Sequence, residues 1–165
     1  MSNLVLRKDS GRICTLTLNR PETLNAPNVS LFEALREHVD ALRGQVHEVA
    51  CVIITGAGKA FSAVHVLKDI QKGERPPEPH FQAKTIQALA ELPQPVVACI
   101  RGHCYTGGLE LALAADIIIA ARPAKFGDTH SKWGLSPPWG MTQRLPRRVR
   151  LAKAKQMKFT LSLKH

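Results

Sequence analysis

At 165 residues and 44% hydrophobic, the chain has enough apolar material for one core of ordinary size, so a single domain over residues 1–165 is expected. No apolar run reaches the ~20 residues of a bilayer span, and the first ten residues carry too many charges for a secretory leader. Neither a membrane partner nor a signal peptide is therefore expected, and the expected location is cytoplasmic. The formal net charge of +10 is concentrated late: Arg144, Arg147, Arg148, Arg150, Lys153, Lys155, Lys158 and Lys164 fall after Met141 with no acid among them. Such a run suits phosphate groups, or it is a solvated or subunit-facing surface.

In chain order the first predicted element is a hairpin. Leu4, Val5 and Leu6 lead into a turn at Lys8-Asp9-Ser10-Gly11, and Ile13 to Leu18 alternate as the returning strand. Asn28 or Ser30 caps a helix whose apolar residues Phe32, Leu35, Val39 and Leu42 recur at helical spacing, closed by Gly44. Ala50 to Thr55 reads as a buried strand ending in the turn Gly56-Ala57-Gly58. Pro76, Pro77 and Pro79 mark a loop, and a second amphipathic helix covers about Phe81 to Leu92. Cys14, Cys51, Cys99 and Cys104 share no metal-ligand spacing, so reduced thiols and no metal site are expected.

The organising stretch is Val96 to Ala121. It opens as a buried strand, breaks at Gly102, and passes through a polar turn to Gly107-Gly108. Leu109 to Ala115 then form a short apolar helix that must be buried, Asp116 stops it, and Ile117 to Ala121 read as another buried strand. A helix opened by glycines presents unpaired N–H groups at its start, where the dipole favours negative charge. Glu110, in its first turn, is either a helix-capping carboxylate or an acid–base group. The alternation of strands and helices predicts an α/β fold with crossover helices.

The segments LTLNRPETLNAP, VIITGAGKAFSA, PQPVVACIRGHCYTGGLELALAADIIIAA, AKFGDTH and GMTQRLPRRV, in that order, resemble the enoyl-CoA hydratase/isomerase, or crotonase, superfamily. The resemblance runs from about Leu4 to Phe159. It implies a spiral of repeated ββα units, here without the family's usual C-terminal helical region. It also implies binding of acyl-CoA thioesters, with coenzyme A entering as part of the substrate and no separate cofactor, and assembly as trimers or hexamers. The implied oxyanion-hole donors are the amides of Ala63 and Gly107, and the implied substrate-binding residues are Ala63, Val64, His65, Val66 and Gly107. Glu110 matches a catalytic glutamate. His130 stands where hydratases carry a second one, with Asp128 two residues earlier, and is the second candidate catalytic residue because imidazole moves protons near neutral pH.

The sequence departs from the family pattern at several places. Val64 and Val66 replace a glycine and an aspartate, Thr106 replaces the first of three glycines, Pro138 a glycine, and Arg150 the glycine that usually follows Val149. At Val64 a branched Cβ is costly if the backbone there must take positive φ. Three function classes follow: an enoyl-CoA hydratase-like enzyme, an inactive crotonase-like binding or assembly module, and an RNA-binding family member. The last has the least support, since no aromatic residue interleaves the basic tail before Phe159. The basic segment from about residue 144 to 165 is expected to be loosely ordered.

Overall fold

The structure is a computed structural model that describes residues 3–63 and 75–160. Strand β1 (Val5–Ser10) pairs antiparallel with β2 (Ile13–Leu18), Ser10 opposite Ile13. The turn is tighter than predicted: Lys8 to Ser10 stay in the strand, and Gly11, at φ +56°, reverses the chain with Arg12. The chain then crosses over through α1 (Val29–Arg43). Of the two possible caps, Asn28 is the one used: its side chain accepts the Leu31 N–H at 3.0 Å. Gly44 ends the helix in an ordinary right-handed conformation.

Strands β3 (Cys51–Gly56), β5 (Val96–Ile100) and β7 (Ile117–Ala120) add in parallel, so the larger sheet runs β1-β2-β3-β5-β7. Three short strands, β4 (Ala60–Ser62), β6 (His103–Tyr105) and β8 (Lys125–Gly127), form a second parallel sheet in that order. Each short strand follows directly from β3, β5 or β7. A strand in the large sheet, a turn, and a strand in the small sheet therefore repeat three times. Helices α2 (Phe81–Ala90) and α3 (Gly107–Ala112) complete the first two repeats, and α4 (Met141–Val149) the third. This is the ββα spiral the resemblance implies.

One face of the large sheet is sealed by α1 and α2. Leu31, Phe32, Leu35, Val39 and Leu42 of α1 and Ile86 and Leu89 of α2 join Leu16, Leu18, Val52, Ile54, Val96, Ala98 and Ile100 in one buried cluster. Cutting any of these leucines to alanine removes about 2–5 kcal/mol. All four cysteines are free, and burial pushes the Cys104 thiol up, which makes it inert.

Two sequence expectations change. β7 is not buried: Ile117 and Ile119 are 53% and 57% exposed. Among the described residues β7 pairs only with β5 and lies at the edge of the larger sheet. The apolar helix also starts two residues earlier and ends sooner than predicted, although Leu113, Ala114 and Ala115 beyond its end are buried as expected. Asp116 does more than stop it: its carboxylate accepts the Val96 N–H at 2.8 Å and ties the loop to the start of β5. The basic segment is helical through α4 and α5 (Leu151–Thr160). It docks by Ala154 and Met157, and the Ser131 hydroxyl donates to the Lys158 carbonyl at 2.7 Å.

Candidate active site

The site lies where α3 meets the ends of the small sheet. Thr106 enters α3 at φ +54°, a left-handed conformation that a β-branched residue takes at a cost of about 1–3 kcal/mol. It is held there by its N–H on the Gly127 carbonyl and by its hydroxyl, 2.7 Å from that of Thr129. Gly107 and Gly108 follow because no side chain fits. A Cβ on Gly107 would lie 2.5 Å from Cζ3 of Trp139, and one on Gly108 2.4 Å from the Ser62 carbonyl oxygen. Backbone of α3 is thereby pressed against β4. Gly107 opens the helix, so its N–H has no carbonyl of the same helix to pair with.

The other side is built by the buried Asn25. Its side chain donates to the carbonyls of Ala57 (2.8 Å) and Ala60 (2.9 Å), and its own carbonyl accepts the Ser62 hydroxyl. Asn25 sits at φ +56°, a conformation asparagine tolerates better than most residues. The clamp sets Ala63 beside Leu24, and the Ala63 N–H donates to the Leu24 carbonyl at 2.9 Å. That amide reaches a ligand only if the Leu24 bond is shared or given up. Val64, His65 and Val66 lie outside the described residues.

Glu110 is fully buried on α3. Its Oε1 accepts the N–H groups of Trp139 (2.8 Å) and Met141 (3.2 Å), so the carboxylate caps the N-terminus of α4 rather than that of its own helix. Its Oε2 has no hydrogen-bond partner among the described residues. His130 Nε2 lies 3.8 Å from that oxygen, too far for a hydrogen bond and close enough for one atom to bridge the two. On the far side of the ring, His130 Nδ1 is 2.6 Å from Asp128 Oδ1, which also accepts the His130 backbone N–H at 3.0 Å. Burial pushes the Glu110 carboxyl above its ordinary value, outweighing the Met141 and Trp139 amides and the His130 ring, which pull it down.

The structure thus brings Gly107, Glu110 and His130 together, with Ala63 across the junction. Sequence reasoning missed Trp139. Its ring meets Phe32 edge-on at a centroid distance of 5.1 Å and covers Gly107. Its N–H holds Glu110, and with Ala83, Lys84, Gln87, Gly140, Gln143 and Arg144 it walls a cleft of about 450 Å³ between α2 and α4. An aromatic inside a proline-rich loop was the only sequence signal available. Among the described residues no cluster of His, Cys, Asp or Glu is arranged to hold a metal ion.

A ββα spiral whose glycine-opened buried helix carries a carboxylate at the junction of two sheets defines the crotonase class of α/β proteins. The enoyl-CoA hydratase/isomerase family model matches residues 8–163, and the chain belongs to that family. It is 34% identical over 163 residues to the probable peroxisomal enoyl-CoA hydratase 1 of Arabidopsis thaliana, covering 96% of this chain and 60% of the relative. It is 37% identical over 161 residues to the 1,2-epoxyphenylacetyl-CoA isomerase of Escherichia coli, covering 93% and 61%. The crystal structure of an enoyl-CoA hydratase from Bacillus anthracis superposes with a TM-score of 0.88 at 32% identity, covering 98% of this chain and 64% of that one. The chain therefore spans about 60% of the length of the curated relatives it matches.

Proposed function

We propose that the protein hydrates the double bond of a 2-enoyl-CoA thioester. One observation carries this reading: the buried Glu110 carboxylate, one oxygen pinned by two amides and the other unpartnered among the described residues and facing an imidazole. Water held between Glu110 Oε2 and His130 Nε2 bonds through its oxygen to the β-carbon. The π pair moves to the α-carbon and the thioester oxygen, giving an enolate. Glu110 takes the water's proton and passes it to Nε2 of the neutral His130 imidazole, and the imidazolium so formed gives it to the α-carbon, which restores both groups. In this scheme the Gly107 N–H, which opens α3, donates to the enolate oxygen, a contact of a kind worth ~3 kcal/mol. A place in fatty-acid metabolism, a homo-oligomeric state and a cytoplasmic location belong to the same proposal and rest on the residue reading. No helix among the described residues is long and apolar enough to cross a membrane.

The Ala63–Leu24 bond favours a second reading, a protein that binds acyl-CoA without turning it over. Calorimetric titration tests what the two share. An acyl-CoA should bind more tightly than the free fatty acid, because the nucleotide phosphates meet Lys and Arg groups. Equal affinities would overturn the substrate class for both, and a turnover assay on the same sample separates them.

A further inference from the structure

We propose that Asp128 is a positioning residue: it fixes the proton of neutral His130 on Nδ1 and so leaves Nε2 bare toward Glu110. The inference rests on the hydration reading for its kinetic consequence but not for its structural one. A carboxylate offers only acceptors, so the 2.6 Å contact between Asp128 Oδ1 and His130 Nδ1 places hydrogen on Nδ1. The same Oδ1 takes the His130 backbone N–H at 3.0 Å, closing a small ring that fixes the side chain to its own main chain. Asp128 is 1% exposed and His130 6%, so water does not compete freely for either bond. With Nδ1 so occupied, Nε2 points at the one oxygen of Glu110 that has no other partner among the described residues.

The assignment matters because the two tautomers do different chemistry. With hydrogen on Nδ1, Nε2 accepts a proton from Glu110 and returns it as imidazolium, which the Asp128 carboxylate stabilises. With hydrogen on Nε2, that N–H would face Glu110 Oε2 and could take no proton from it. Asp128 touches neither the water nor the thioester in this scheme and acts through His130.

The test uses the full chain labelled with ¹⁵N-histidine. Ring nitrogen shifts at a pH where His130 is neutral should give the Nδ1–H form in the unsubstituted protein. In Asp128→Asn, which keeps the size but lacks the charge, the Nε2–H form should gain population, and it should dominate in Asp128→Ala, which removes the acceptor. With a 2-enoyl-CoA, Asp128→Asn should lower kcat by about a hundredfold, the low end of what a positioned proton-transfer group contributes, with little change in KM. Neutral His130 protonated on Nε2 in the unsubstituted protein would overturn the proposal, as would a tautomer ratio unmoved in both variants. So would a substitution that moves the tautomer and changes only KM. If the unsubstituted chain turns over no enoyl-CoA, the hydration reading fails, and the tautomer measurement still decides what Asp128 does to His130.

Discussion

Gly108→Ala tests whether the junction of α3 and β4 sets the site. The new Cβ would meet Ser62 three times: its carbonyl oxygen at 2.4 Å, its Cβ at 2.6 Å and its Oγ at 2.8 Å. The first is backbone and the second is fixed to it, so no side-chain rotation relieves the overlap. An ordinary contact needs about 3.4 Å, so α3 must retreat by about 1 Å. Overpacking of this kind costs about 1–3 kcal/mol, and alanine returns up to about 1 kcal/mol of helix propensity. The net loss in urea unfolding should be about 1–2 kcal/mol. Glu110 is two residues on and Gly107 one residue back, and a misplacement of ~1 Å costs about a hundredfold in rate. Hydration should therefore fall far more than stability. Gly11→Ala is the control: it strains a φ of +56° with nothing within 4 Å, so it should cost stability alone. A Gly108→Ala protein with native stability and native rate would refute the reasoning, for it would mean that α3 does not press on Ser62.

Glu110→Gln should abolish most hydration, by about a hundredfold or more, and flatten the dependence of stability on pH. Because burial raises this carboxyl, its contribution is fully present below its unfolded value and is lost as pH rises through the raised one. The variant should therefore gain on the parent with rising pH in a series of urea titrations, and parallel curves would contradict this. Arg150→Gly should stabilise by about 1 kcal/mol, since Arg150 lies at φ 64° and ψ 157°, a region nearly reserved for glycine; a lower melting temperature would sink that account. Ile117→Thr and Ile119→Thr should each change stability by no more than about 0.5 kcal/mol, because both side chains are more than half exposed. A loss of several kcal/mol would mean that something covers β7.

The parts of this fold that were legible in the sequence are those set by local chemistry. Asn28, the heptad-like spacing of Phe32, Leu35, Val39 and Leu42, and the glycines at 102, 107 and 108 each announce their role through neighbours in the chain. The exposure of β7 was not legible. Ile117 and Ile119 look identical in sequence to buried strand residues, and only sheet order makes theirs an edge. At the site, Glu110 was recognisable because a lone carboxylate on an apolar helix needs a reason. The loop amides that answer it, from Trp139 and Met141, lie 29 and 31 residues away. The Ala63–Leu24 bond spans β4 and the turn before α1, and no periodicity reports such a contact. Thr106 and Arg150 are the instructive cases: both stand where the family pattern has glycine, and both take positive φ.

The most direct measurement is incubation of the protein with a 2-enoyl-CoA in H₂¹⁸O, followed by mass spectrometry of the thioester. Hydration at Glu110 predicts a 3-hydroxyacyl-CoA carrying one solvent oxygen, formed by the unsubstituted chain and suppressed by about a hundredfold or more in Glu110→Gln. An unlabelled, unchanged thioester in the presence of the unsubstituted protein, or equal labelling by both, would contradict it.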